Sequence, residues 1–225
     1  HIGKLTFDVS GNVASLTNEV VSMPESLFIR TPLSGAVPND AKIELLGETL
    51  VGRSVNSIYG YVADGLFQTQ GEVDSHASQP GKGLGRIRYK DLNGDNVINN
   101  EDQTFIGVAD PALSFGLNIN ATYGNFSFTV FAQGVTGIEY YNSYKTYTDF
   151  ASLWPGTNWG ERTLDAWSPT NQDSDIPRLT IVDNNNEGRV STYFIENASY
   201  LKLRNLQIGY SLTQSTLDPP GQKKA

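Results

Sequence analysis

Alternating apolar and polar residues give the clearest structural signal in this chain. Every second residue is apolar between Leu113 and Tyr123, and the same alternation resumes from Phe126 to Gln133 after the dipeptide Gly124-Asn125. A period of two is typical of a strand that buries one face, and a two-residue connection of Gly and Asn favours a tight reversal. The pattern therefore predicts an antiparallel hairpin with one apolar face.

Two further stretches show the same period. Residues 4–14 alternate from Leu5 onward, and residues 201–212 alternate with a change of phase near Arg204 and Asn205, which predicts a strand with a β-bulge. The alternation begins almost at the first residue, and no charged and apolar leader precedes it. We therefore expect the natural protein to extend further in the N-terminal direction.

The apolar face of these strands can meet either a protein core or a lipid bilayer. Transmembrane strands need about 9 to 11 residues, and the first hairpin strand has that length. Tyr123 also lies beside the turn, where an aromatic girdle would be found. On pattern alone an antiparallel sandwich is favoured, because the alternation of a barrel strand is a weak signal in any one segment.

Composition excludes several function classes. The 225 residues carry 16 basic and 24 acidic side chains, a formal charge of −8, and no basic cluster that would suit nucleic acid. The chain has no cysteine and only two histidines, so thiolate and most imidazole chemistry is excluded. Asp173 and Asp175 are a pair of acids of a kind common in loops, and no nucleophile elbow, zinc motif or phosphate loop is present. We expect the protein not to be an enzyme.

The segment DLNGDNVINNED matches the spacing of a calcium-binding loop. Side-chain oxygens are needed at positions 1, 3, 5, 9 and 12 of that template and a backbone carbonyl at position 7. The matching residues are Asp91, Asn93, Asp95, Val97, Asn99 and Asp102. Asn96 replaces the template glycine, which is tolerable because Asn enters the left-handed region. Asp102 is shorter than the usual glutamate, so we expect modest affinity for Ca²⁺. The alternative is a solvated Asx-rich turn that binds no ion.

The sequence on either side of this loop predicts extended structure, not a pair of helices. Before it, the segment GEVDSHASQPGKGLG is interpreted as a flexible polar link, and its glycines do not have the spacing of a dinucleotide fingerprint. We assign that link no chemistry.

Residues 134–189 show little strand character and many aromatic side chains. All three tryptophans of the chain, Trp154, Trp159 and Trp167, lie in this segment. Long loops are usually functional or disordered. The rings could contact a ligand, because aromatic side chains with polar tips stack on sugars or peptides; alternatively they form the small core of the loop itself.

Five segments occurring in this order resemble the C-terminal part of SusC/RagA-type TonB-dependent outer-membrane transporters. They are GRSVNSIYGYVADGLFQTQGEVDS, GRIRYKDLNGDNVINNEDQTFIG, SFGLNINATYGNFSFTVFAQG, WSPTNQDSDIPRL and ASYLKLRNLQIGYSL. The resemblance covers about residues 5–217. It implies an all-β fold of antiparallel strands with long loops, a partial segment of a large transmembrane β-barrel that in this family has roughly 22 strands around a plugged lumen. It thereby overturns the preference for a sandwich.

The same resemblance implies a function and a set of partners. Such transporters lie in the outer membrane and import glycans or peptides with a SusD-like surface lipoprotein, using energy that reaches them from TonB through N-terminal regions missing here. Residues 1–217 would be a receptor fragment with outer loops at 20–111 and 135–189, followed by a polar tail at 218–225. Outer-membrane barrels have short periplasmic turns, so Gly124-Asn125 would be periplasmic. The alternative is a secreted calcium-dependent glycan-binding β domain.

Overall fold

The computed structural model describes residues 4–24, 28–31, 43–46, 50–150, 152–154 and 156–212, with residues 28–31 and 43–46 described by their backbone alone. The predicted tail, residues 218–225, lies outside the described residues. Two compact units share the chain. The sheet unit takes its described residues from the ranges 1–16, 111–138 and 198–225, and the loop unit takes its described residues from 17–110 and 139–197.

Short and long strands account for most of the regular structure. The strands are β1 (Leu5–Ser15), β2 (Phe28–Thr31), β3 (Ile43–Leu46), β4 (Ser57–Tyr61), β5 (Ala63–Leu66), β6 (Ile87–Tyr89), β7 (Gln103–Val108), β8 (Leu113–Tyr123), β9 (Phe126–Thr136), β10 (Glu139–Tyr141), β11 (Ile195–Asn197) and β12 (Tyr200–Tyr210). The helices are α1 (Gln70–Ser75) and α2 (Lys145–Thr148), with 3-10 turns at Asn100–Asp102, Glu161–Asp165 and Thr192–Phe194. All pairings between these strands are antiparallel, so the predicted all-β class is confirmed.

The sheet unit is a four-stranded antiparallel sheet in the order β1-β8-β9-β12. Each of its strands has 11 residues. The predicted hairpin is present, with β8 and β9 paired from Leu113↔Thr136 to Tyr123↔Phe126 around the turn. The pairing of β12 with β9 shifts between Leu203 and Asn205, which confirms the predicted bulge.

Cross-strand register collects the apolar residues on one face of this sheet. Residues that pair directly lie on the same face. Ile119 pairs with Val9 on one side and with Val130 on the other, and Val130 pairs with Leu206. The row nearest the turn consists of Leu5, Tyr123, Phe126 and Tyr210, in which the Phe126 and Tyr210 rings lie 4.8 Å apart. Many apolar side chains of this face are exposed in the chain, Phe7 by 66% and Ile208 by 73%, whereas Ile119 and Val130 are half-buried.

Both long connections leave and rejoin the sheet at the same end. The last residue of β1, Ser15, pairs with the first residue of β8, Leu113, and the beginning of β12 pairs with the end of β9. The opposite end of the hairpin is closed by Gly124, which has a φ of 58°. One end of the sheet therefore carries both long connections, and the other end carries the tight turn of the hairpin.

Each of these two connections has its own ends tied together inside the loop unit. In the first, the Asp110 carboxylate accepts hydrogen bonds from the side chains of Ser54, Asn56 (2.7 Å) and Asn18 (3.2 Å). These hydrogen bonds, that from Ser54 above all, hold the pKa of Asp110 below its usual value. In the second, β10 pairs with β11 from Glu139↔Asn197 to Tyr141↔Ile195.

The loop unit has a hydrophobic core, although its residues were predicted to be outer loops. Residues of three short two-stranded sheets, β4–β7, β5–β6 and β10–β11, contribute to this core. Its most buried large side chains are Tyr89, Phe67, Phe194, Leu50, Ile87 and Val190. The segment interpreted as a flexible polar link is instead ordered. Its helix α1 begins with a capping box in which Thr69 accepts from the Glu72 N–H and Glu72 accepts from the Thr69 N–H.

Helices contribute little to either unit. Within the described ranges, no helix is long and apolar enough to cross a membrane.

Candidate functional site

The calcium-like loop between β6 and β7 is closed by its own side chains. Asp91 accepts from the backbone N–H groups of Gly94 (2.6 Å) and Asn96 (2.8 Å), and Asp102 accepts from those of Leu92 and Asn99 (both 2.8 Å). Asn96 has a φ of 64°, so it occupies the left-handed region as the template position requires. Asp102 is fully buried. These hydrogen bonds hold the chain path of the loop.

Calcium binding by this loop stays a prediction. Among the described residues, no group of three or more His, Cys, Asp or Glu side chains is arranged to hold a metal ion. The template also uses the amides of Asn93 and Asn99 and the carbonyl of Val97. Each carboxylate oxygen has two lone pairs, so those that accept one backbone N–H keep capacity for a cation.

The three tryptophans have different environments, although they lie in one segment. Trp167 is 3% exposed; its Nε1 donates to Gln68 Oε1 (2.7 Å) and its backbone N–H to the Ile176 carbonyl (2.8 Å). This is the environment of a core residue, so the expected ligand contact does not fit Trp167. Trp154 is half-buried and stacks on Tyr147 at 4.4 Å, with Nε1 buried and lacking a hydrogen-bond partner among the described residues.

Trp159 is the most exposed of the three tryptophans, with 39% of its surface exposed. It lines a cavity of about 550 Å³, here called the Trp159 cavity, a volume within the range of small-molecule sites. The walls include two guanidinium groups, of Arg86 and Arg178, and the aliphatic side chains of Leu179, Ile181 and Val182. The expected contact role is therefore compatible with the exposure of Trp159.

A buried polar network supports one wall of the Trp159 cavity. Arg86 Nη2 lies 2.6 Å from Glu187 Oε2 and 3.9 Å from Asp183 Oδ1, while Arg86 Nη1 donates to Thr180 Oγ1 (2.8 Å). Glu187 also accepts from the backbone N–H of Ile87 (3.1 Å). Burial raises the pKa of Glu187 to about 7, against the opposing effects of Arg86 and the Ile87 N–H. The network thus connects the start of β6 with residues 180–187.

Two glycines that were assigned no role bring the cavity walls together. Gly81 and Gly85 have φ angles of 65° and 73°. A Cβ at Gly81 would overlap the backbone of Asn184, and one at Gly85 would overlap the Trp167 ring. The Gly85 carbonyl also accepts from the Arg178 N–H (2.8 Å). The available sequence signal was the glycine spacing in PGKGLG, which indicates close backbone approach.

A second cavity, of about 430 Å³, lies in the same unit and is more polar. Its walls include Lys145, Arg162, Asp173 and Asp175. Lys145 Nζ is already 3.0 Å from Glu196 Oε1, and Arg162 Nε is 3.2 Å from Asp149 Oδ1. Both cations are thus engaged in ion pairs within the chain.

Comparison with known proteins gives one consistent group of relatives. A scan against models of protein families finds no match. The chain is 29% identical over 222 residues to TonB-dependent receptor P3 of Formosa agariphila, covering 96% of this chain and 21% of that protein. It is also 29% identical over 186 residues to TonB-dependent receptor P26 of the same organism, covering 81% of this chain and 18% of that protein. The chain thus spans about a fifth of the length of these curated relatives.

Solved structures give the same result for the fold. The structure of the RagAB peptide transporter matches with a TM-score of 0.66 and 19% identity, over 96% of this chain and 21% of that one. The RagAB peptide importer in the open-open state matches with a TM-score of 0.60 and 20% identity, over 97% and 21% of the two chains. RagA is a SusC-like protein. The chain is therefore homologous to TonB-dependent receptors and shares the fold of a part of RagAB, which confirms the resemblance to SusC/RagA-type transporters.

Proposed function

We propose that this chain is part of an outer-membrane TonB-dependent transporter that imports oligomeric nutrients with a SusD-like surface lipoprotein. The observation that carries the proposal is the continuous apolar face of the four-stranded sheet, in a chain whose relatives are TonB-dependent receptors. Strands of 11 residues have the length that spans a bilayer when tilted. The aromatic row beside the Gly124-Asn125 turn fits the girdle of a membrane interface.

The opposite face of the sheet supports the same proposal. It carries mostly polar side chains, among them Asp8, Asn12, Asn118, Asn120 and Gln133. Transmembrane barrels alternate apolar residues toward lipid with polar residues toward a wet interior. A sandwich would instead need a second layer over the apolar face.

The partner, the energy source and the nutrient are proposed from the relatives. One similar structure is named as a peptide transporter, and a SusD-like lipoprotein and TonB follow from the SusC/RagA resemblance. TonB would act through regions outside this chain. The two long connections between strands, which form the loop unit, are the part expected to meet nutrient and lipoprotein outside the cell.

Paired arginine substitutions in the whole protein test the membrane assignment. Val130 lies in the middle row of the apolar face, and the adjacent Thr129 lies on the polar face. An arginine on the lipid face near the midplane costs about 2–4 kcal/mol, whereas lumen substitutions mainly tune selectivity. We therefore expect Val130→Arg to lower the amount of folded protein in the outer membrane and Thr129→Arg to leave it nearly unchanged, as measured by heat-modifiable mobility in gels. Equal losses from both substitutions would contradict a lipid-facing sheet.

A further inference from the structure

We propose that the Trp159 cavity binds the C-terminal end of an oligopeptide, taking up its terminal carboxylate and an apolar last side chain. This proposal rests on the proposed function, because import would bring the peptide to the loop unit. It adds the substrate class and the end of the substrate that the cavity recognises.

The charge of the cavity favours an anionic group. Arg178 is exposed on its wall, and within the described part of the chain its side chain makes no ion pair or hydrogen bond. Arg86 adds a second guanidinium, whose charge is shared with Glu187 and Asp183. The described residues that line the cavity include no carboxylate. Arginine presents a planar fork of donors that binds a carboxylate with two parallel hydrogen bonds, so Arg178 is the group that would hold the anion.

The remaining wall favours an aliphatic group beside that anion. Ile181 is 86% exposed and Val182 57% exposed, close to the partly exposed ring of Trp159. Exposed apolar side chains gathered next to a few polar groups mark binding grooves, because covering them removes apolar surface from water. The last residue of a peptide places an apolar side chain and a carboxylate on neighbouring atoms, which matches this arrangement.

The walls are held in place before any ligand arrives. Thr180 Oγ1 accepts from Arg86 and donates to the Val182 carbonyl (3.0 Å), and the Arg178 backbone N–H donates to the Gly85 carbonyl (2.8 Å). A site whose walls are already ordered loses less conformational entropy when a ligand binds.

These contacts also favour a peptide over a neutral glycan. Sugar hydroxyls need several free donors and acceptors around a stacking ring. Thr180 is already engaged by Arg86 and the Val182 carbonyl, so its hydroxyl group is not free to bind a sugar. The aliphatic wall offers nothing to a hydroxyl group.

Calorimetry on the whole purified transporter tests the proposal with matched peptides and matched variants. The probes are an alanine-rich oligopeptide that ends in leucine with a free carboxylate, the same peptide as its C-terminal amide, and an acidic oligosaccharide of similar size. The variants are Arg178→Gln and, as control, Lys90→Gln, which removes the same charge from an exposed position outside the cavity. Trp159→Ala probes the apolar contact.

We expect amidation and Arg178→Gln each to weaken binding about tenfold or more, the effect of losing a charge-assisted hydrogen bond. Applied together they should weaken it no further, because both remove one interaction. Lys90→Gln should have no effect, and Trp159→Ala should weaken both peptides equally.

Equal binding of acid and amide, or an equal effect of Arg178→Gln on both, would overturn the carboxylate contact. Binding of the acidic oligosaccharide alone, with the same dependence on Arg178, would overturn the peptide assignment. Failure of the proposed function would give a different result. Peptide would still bind, but deletion of the protein, or its uncoupling from TonB, would leave nutrient uptake unchanged.

Discussion

Glu187 is a buried carboxyl group whose protonation affects the stability of the loop unit. Its pKa lies at about 7, raised by burial from the usual 4.5. Between these two values the folded state binds more protons than the unfolded state, so the free energy of unfolding falls as pH rises from about 4.5 to about 7. Below this window the protonated group is present in both states and the contribution is complete.

We therefore expect Glu187→Gln to remove part of this pH dependence. An amide cannot titrate, and it can still accept the Ile87 N–H. The stability of the variant relative to the wild type should rise as pH increases from about 4.5 to about 7, because only the wild type loses the contribution of the protonated carboxyl group over this window. Hydrogen exchange of β6 in the whole protein at pH 5 and pH 8, compared between variant and wild type, measures this effect.

The control for this prediction is Glu161→Gln, at an exposed position of the same unit. It should leave the exchange profile of β6 unchanged at both pH values. A Glu187→Gln profile that keeps the full pH dependence of the wild type would show that another group is responsible.

Residue type alone could not separate the three tryptophans. Trp167 is buried because Gly85 leaves room for its ring and Gln68 accepts its N–H, whereas Trp159 remains partly exposed on a cavity wall. Both environments depend on contacts between residues distant in the chain. The sequence could indicate aromatic chemistry in this segment, but not which ring is the most exposed.

At the scale of elements, the calcium-like loop permits a direct test. If Ca²⁺ binds, calorimetry on the whole protein should show heat of binding at submillimolar to millimolar Ca²⁺, the range of weak extracellular sites. Asp91→Ala with Asp95→Ala should abolish it, because two carboxylate ligands and the hydrogen bonds that shape the loop are lost.

The matched control removes two carboxylates elsewhere in the loop unit. Asp173→Ala with Asp175→Ala should leave the calcium signal intact, since these exposed residues lie outside the loop. Absence of heat in the wild type, or identical signals from the two double variants, would mean that the loop is a polar turn stabilised by its own side chains.

Long strands were predictable where short ones were not. The strands β8 and β9 carry mainly apolar residues on one face and mainly polar residues on the other, so their sequences alternate and predict extended structure. The strands β5, β6 and β10 have only three or four residues, and their stability comes from a core assembled from distant segments. The helix α1 had a usable signal, the Thr69-to-Glu72 capping box, which the interpretation as a flexible link overlooked.

At the scale of the whole molecule, the exposed tryptophan gives a prediction about transport. If the proposed function holds, Trp159→Ala in the complete protein should reduce nutrient uptake while the amount of folded protein in the membrane stays constant, because a loop side chain contributes little to strand pairing. Uptake of labelled nutrient, normalised to folded protein, measures the effect.

Leu164→Ala is a suitable control for Trp159→Ala, because Leu164 is 88% exposed in the same segment but does not line the Trp159 cavity. It should leave uptake unchanged. If Trp159→Ala instead abolishes membrane assembly, the ring has a structural role and not a contact role.

The closed ends of the two long connections bear on how the sheet folds. β1 and β8 pair although their facing ends are roughly 100 residues apart, and such distant contacts slow folding because loop closure costs entropy. Asp110 ties the two ends of the first connection together, and the β10–β11 pair does the same for the second. Once each connection has folded, its adjoining strands are held near one another as if joined by a short turn. We therefore expect the rate at which β1 and β12 join the central hairpin to depend more on the folding of the connections than on the strands themselves.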